Sequence, residues 1–108
     1  AIANNTPAAT DVNGLLFTTT TVKSAIVNYQ CYIDAGTTGN SETGILLLTY
    51  DDTGAVGSKW LLTSQKVGDA GISLSIADTG QVQYISTDLG DPTYTRRLIF
   101  AAKVLNRI

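Results

Sequence analysis

Apolar and polar side chains alternate along most of this chain, and the alternation has the period of a β-strand. Across residues 22–33, Ala25, Val27, Tyr29, Cys31 and Ile33 share one parity, while Ser24, Asn28 and Gln30 share the other, with Val22, Ile26 and Tyr32 among them. Successive strand side chains point to opposite faces, so this stretch predicts a long strand buried on one side. Ile72, Leu74 and Ile76 alternate with Ser73 and Ser75, and Asp78-Thr79-Gly80 then leads into residues 81–87 with Val82 and Tyr84 inward. That phrasing predicts a β-hairpin. Residues 44–50 are apolar at both parities, which predicts a central strand or one covered by a second layer. Residues 59–66 place Trp60 and Leu62 on one face and Leu61 on the other. Residues 94–105 close the chain with Leu98, Phe100, Ala102 and Val104 aligned.

Turns rich in Gly, Asp and Thr separate these segments, and no window carries a sustained helical stripe. The expected fold is all-β: an antiparallel β-sandwich, jelly-roll-like or Ig-like, of about seven strands. Leu15-Leu16-Phe17 follows the turn signal Asn13-Gly14, and the β-branched tract of residues 18–21 favours extended backbone. Residues 1–12 are mostly polar and are expected to form an extended N-terminal arm ahead of a single domain over residues 13–108. Such an arm frays unless something ties it down, and a partner subunit is one candidate.

Composition narrows the chemistry. The chain has 108 residues, 44% of them hydrophobic and only 15% charged, with a net charge of −2. The acidic balance argues against the broad basic surface that nucleic-acid binding needs. The longest apolar run, Ile45 to Leu48, falls far short of the roughly 20 residues of a membrane span. Residues 1–11 have neither a charged nor an apolar leader region, so no secretory signal is expected. With no histidine and one cysteine, histidine-based triads, histidine-ligated metals and an internal disulfide are excluded. No catalytic, cofactor or metal site is expected. Cys31, inside a strand-like run with no basic neighbour, reads as a small buried hydrophobe.

The carboxylates Asp11, Asp34, Glu42, Asp51, Asp52, Asp69, Asp78, Asp88 and Asp91 mostly sit beside Gly, Thr, Ser or Pro. Aspartate in that context bonds nearby backbone N–H groups in turns. Asp51-Asp52-Thr53-Gly54 lacks the alternate acidic spacing and terminal Glu of a calcium loop. A small hydrolase built on Asp51, Asp52 and Asp69 is the least supported reading, since no motif pairs them with a nucleophile or base.

The apolar surplus is more informative. Leu46, Leu48, Ile85, Ile99 and Leu105 are assigned to the faces opposite the core, and one small sandwich has a single interior. Contiguous exposed apolar surface marks an interaction site, so self-association is expected. Arg96 and Arg97 bring positive charge to the last strand, either for an acidic partner surface or as a solvated face that deters edge pairing. Ile2, Asn4 and Asn5 are the arm residues expected to touch a neighbour.

Several blocks read together as a known kind of domain. They are Ala3-Asn4-Asn5, Val12-Asn13-Gly14-Leu15-Leu16-Phe17, Val22-Lys23-Ser24-Ala25 and Tyr29-Gln30-Cys31-Tyr32. With them go Glu42-Thr43-Gly44, Gly68-Asp69-Ala70-Gly71-Ile72, Gly80-Gln81-Val82-Gln83-Tyr84 and Tyr94-Thr95-Arg96-Arg97-Leu98-Ile99-Phe100-Ala101-Ala102-Lys103. Over nearly the whole chain this phrasing resembles small virion-associated proteins and tail-fibre segments of tailed bacteriophages. The resemblance implies a non-enzymatic virion protein, assembled in the bacterial host cytoplasm, that decorates or cements the particle as a homo-oligomer, a trimer being the expected count. Its implied partners are further copies and other virion proteins. The alternative is a tail-fibre or spike module whose loops, residues 34–41, 51–58 and 88–93, bind a host-surface receptor such as a glycan.

Overall fold

The computed structural model describes residues 1–34, 40–90 and 93–106. Seven strands follow one another: β1 (Thr6–Leu16), β2 (Val22–Asp34), β3 (Ser41–Tyr50), β4 (Trp60–Gly68), β5 (Ile72–Ile76), β6 (Gln81–Ser86) and β7 (Thr95–Asn106). They form two antiparallel sheets, ordered β1-β6-β5 and β4-β3-β2-β7. The expected all-β antiparallel sandwich is therefore what the chain forms. Strands β2, β3 and β4 are a meander, and β7 returns beside β2 after the β5–β6 excursion into the other sheet, a Greek-key return.

The period-two reading of β2 holds: Ala25, Val27, Tyr29 and Cys31 are buried, with Ile26, Asn28 and Gln30 outside. They meet Val12, Leu15, Ile72, Val82 and Tyr84 from the three-stranded sheet in one core. One end is closed by aromatic packing, with Trp60 6.1 Å from Phe17 and 5.2 Å from Tyr50 between ring centroids. The Trp60 indole N–H finds no acceptor among the described residues, so packing alone holds that ring.

The segment expected as an arm over residues 1–12 is strand from Thr6 onward, paired with β6. Two irregularities in that pairing hide it from a period-two search. The second leaves Val12 and Leu15, rather than residues two apart, facing the core. A bulge of this kind leaves carbonyls outside the ladder. The Gln81 side-chain amide answers them, lying 2.9 Å from Val12 O and 3.3 Å from Leu15 O. Residues before Thr6 make contacts within the chain. Ile2 is buried and its N–H donates to Arg96 O at 2.8 Å. Ala3 N donates to the Tyr84 hydroxyl, and Asn5 N donates to Thr87 O. Asn5 takes a left-handed conformation with φ 51°, which Asn tolerates better than most residues.

The β5–β6 hairpin turns through residues 77–80, with Gly80 at φ 91° accepting Phe17 N–H on its carbonyl. A Cβ at Gly80 would strike the Phe17 carbonyl oxygen, and backbone cannot swing away as a side chain can. Gly80→Ala should therefore lower unfolding free energy by about 2 kcal/mol or more, read as a shifted urea midpoint with unchanged slope.

Candidate functional site

Two regions stand out once the sheets are in register: the outer face of the four-stranded sheet, and a cleft at the loop end of the sandwich. The outer face follows from strand pairing. Reading across β4, β3, β2 and β7, its rows are Leu61–Thr49–Ser24–Leu105, Thr63–Leu47–Ile26–Lys103, Gln65–Ile45–Asn28–Ala101 and Val67–Thr43–Gln30–Ile99. Ile26, Leu47 and Ile45 make the centre, and Leu61, Leu105, Val67 and Ile99 lie toward the corners. Within these rows Lys103 is the one charged side chain. A sheet face that met only water would carry more charge, and depletion of charge at the centre is what distinguishes interface cores.

Of the residues expected at contacts, Ile99 (56% exposed) and Leu105 (62%) lie on this face. Ile85 (41%) is exposed on the three-stranded sheet instead. Leu46 and Leu48 must be corrected: at 0% and 3% exposure they are core residues, and Leu47 (47%) is the one that faces out. The physical reason is Glu42, which lies on the same face of β3 as Leu46 and Leu48 and is buried with them. The sequence expectation missed Ile26, Leu47, Leu61 and Val67. The parity of β2 carried the signal for Ile26, and the register of β3 against β2 carries it for Leu47.

Glu42 is buried at 2% because three donors reach its carboxylate. The Tyr29 hydroxyl donates to Oε2 at 2.5 Å, while Lys66 Nζ at 3.3 Å and Ala70 N at 3.1 Å approach Oε1. Gly44 makes room for the arrangement, since a Cβ there would run into the Tyr29 ring. Arg96, expected on a contact or solvated face, is 1% exposed. Its Nε donates to Ala70 O at 2.6 Å, Nη1 to Thr87 O at 3.3 Å and Nη2 to Thr87 Oγ1 at 3.1 Å. Arg97 points the other way and meets Asp34 at 3.8 Å in an exposed pair worth little. Replacing Arg96 by Lys removes the fork while keeping the charge. Arg96→Lys should cost about 3 kcal/mol, and amide exchange at Ile2 should quicken more than at Val27.

Arg96 floors the cleft, a space of about 520 Å³ lined by Ile33, Asn40, Asp69, Thr87, Asp88 and Tyr94, among others. The expected receptor loops contribute Asn40, Asp88 and Leu89 to it; residues 35–39 and 91–92 of those loops lie outside the described residues. Asn4 lies beside this rim, its side chain accepting from Leu89 N at 2.9 Å and donating to Asp88 at 3.3 Å. The carboxylates behave as turn formers. Asp51 accepts from Thr53, Asp69 from Gly71 N, and Asp88 from Gly90 N. Asp78 accepts from Gly57 N at 2.6 Å and Lys59 N at 3.1 Å, tying the β3–β4 loop to the β5–β6 turn. Such donors hold the Asp51, Asp78 and Asp88 carboxyls below their ordinary range.

Cys31 is fully buried, and burial, with the nearby Glu42 carboxylate, pushes its thiol up to about 11 from an ordinary value near 9. Tyr29 is raised well above its usual range, first by burial and then by its bond to Glu42. Both groups stay protonated in the folded chain at pH values where the unfolded chain loses the proton. With respect to these two groups, stability is therefore whole below about pH 9 and falls as pH rises through 9 to 11. In a Cys31→Val variant the decline should begin about one unit later, where Tyr29 takes over, measured by urea unfolding at stepped pH.

Comparison with protein-family models, curated proteins and solved structures returned no match to this chain.

Proposed function

We propose that this chain is a non-enzymatic structural module of a bacteriophage particle, decorating or cementing the particle surface as an oligomer of its own copies. The observation that carries the reading is the outer face of the four-stranded sheet. Ile26, Leu47, Leu61, Val67, Ile99 and Leu105 are exposed there, with Lys103 the one charged side chain within the four rows and Arg97 in the next row beyond Ile99. Covering such a face with the same face of further copies removes its apolar area from water without opposing like charges at its centre. Copies arrayed on a particle would then bind through effective concentration even where each contact is weak. The virion setting comes from the strand-and-turn phrasing of the sequence, and a trimer is the proposed count.

A second reading, a tail-fibre or spike module for a host-surface receptor, is favoured by the cleft over Arg96. Its rim gathers Asn40, Asp69, Asp88 and Tyr94, polar and aromatic groups suited to a glycan.

Sedimentation separates the outcomes. The native chain should form a species of three copies, and the outward double substitution Ile26→Lys/Leu47→Lys should lose it while keeping the β-sheet circular dichroism. A native chain with no species above a dimer at high micromolar concentration overturns the reading. In electron micrographs of particles carrying labelled chain, label on the head surface supports decoration, and label at the tail tip supports the receptor module.

A further inference from the structure

The four sheet edges are not alike. β1 carries Pro7 and two register irregularities, and β5 has only five residues. β4 offers the polar run Thr63-Ser64-Gln65-Lys66. Short length, proline, bulges and charge are the usual devices that keep an edge from recruiting another strand. β7 has none of them between Leu98 and Leu105 except Lys103, and its pairing with β2 is regular from Ser24 to Asp34.

The phase of this edge is fixed by one hydrogen bond. Ile2 N donates to Arg96 O from the side away from β2, so the backbone groups of Arg96 point to the free edge. In an antiparallel ladder the direction alternates with each residue. Leu98, Phe100, Ala102 and Val104 therefore aim their N–H and C=O groups outward. Among the described residues, Ile2 forms the one bridge to this side of β7. Beyond it lies a groove of about 480 Å³ between β7 and β1, lined by Ile2, Val12, Tyr84, Leu98 and Phe100 among others.

We propose that the β7 edge pairs with β7 of a second copy, antiparallel, about a two-fold axis at Ala101. This goes beyond the particle role above and does not depend on it. The register follows from the phase. Hydrogen-bonded pairs must join the outward-aimed residues, and centring on Ala101 matches Leu98 with Val104 of the partner and Phe100 with Ala102 of the partner. The next such pair would involve Arg96, whose carbonyl Ile2 already occupies, so the ladder ends there. On the inner side a large ring meets a small side chain over the groove. On the outer side Lys103 lies opposite Ile99, Arg97 opposite Leu105, and Ala101 opposite itself, so no like charges are opposed. Pairing from residue 98 to 104 buries less than the about 1,200 Å² of a standard interface, so the contact is reversible in dilute solution and strong only where copies are held together.

The register gives a sharp test in the full chain. Ala101 would stand opposite its own copy in a non-hydrogen-bonded pair, about 4.5 Å between Cα atoms, inside the about 4.4–6.8 Å reach of a disulfide. Ala101→Cys should cross-link to a dimer in oxidised glutathione at least tenfold faster than Ile99→Cys or Lys103→Cys alone, whereas mixing those two variants should yield the heterodimer. Buried Cys31 is silent in all of them. Ala102→Pro, which removes an N–H aimed at the free edge and leaves the β2 ladder intact, should slow cross-linking of Ala101→Cys at least tenfold. The face substitutions Ile26→Lys/Leu47→Lys should leave it unchanged. Equal rates for Ala101→Cys and Ile99→Cys, or no effect of Ala102→Pro in a folded variant, overturn the proposal.

Discussion

A single residue, Ala70, is held between two buried charges that do not touch each other. Its N–H donates to Glu42 on β3, and its C=O accepts from Arg96 on β7. Taking either charge out of water is costly unless hydrogen bonds replace its hydration, and here each has three. The arrangement fixes the place where the chain crosses from the four-stranded sheet to the three-stranded one. Arg96 also reaches Thr87, where the chain leaves β6 for β7, and its backbone receives Ile2. Two of the three crossings between the sheets, β4 to β5 and β6 to β7, and the N-terminal segment therefore meet at one residue, Arg96. Gly71 is part of the same constraint, because a Cβ there would run into Thr87 Oγ1 and Arg96 Nη2.

This anchoring inverts the usual placement of polarity on the larger sheet. Its inner face carries Glu42, Lys66 and Arg96, while its outer face carries Ile26, Leu47 and Ile99. Buried charges are tolerated because one end of the sandwich is a closed hydrogen-bonded network. Exposed aliphatic side chains find no such compensation within the chain. That asymmetry, rather than the total of apolar residues, is the physical ground for reading the protein as one that assembles.

The inversion also explains which parts of the molecule were legible beforehand. Strand β2 and the β5–β6 hairpin were readable because their inward positions, Ala25, Val27, Tyr29 and Cys31 in one and Ile72, Val82 and Tyr84 in the other, are apolar and most outward ones are polar, Ile26 and Ile85 excepted. The identity of β3 as a central strand was readable, but its phase was not. Ile45 to Leu48 is apolar at both parities, and Glu42 reports the wrong face to any rule that sends charge outward. Arg96 misleads in the same way. β1 looked like an arm because residues 7–11 are all exposed and the bulge spaces Val12 from Leu15 by three. Ile85 and Ile99 were identifiable as exposed, since they flank the inward Tyr84 and Leu98, whereas Leu105 lies beside Val104, which is itself 37% exposed.

The molecule is long, 48 Å against 24 and 20 Å in cross-section, and its strands run along that length. Ile2 sits at the Arg96 end, while β7 finishes beside Val22 at the other. Traction applied through the two ends would be directed parallel to β1 and β7, so their ladders with β6 and β2 would slide against the pull as whole rows. Bonds loaded side by side share a force that would open a zipper one rung at a time.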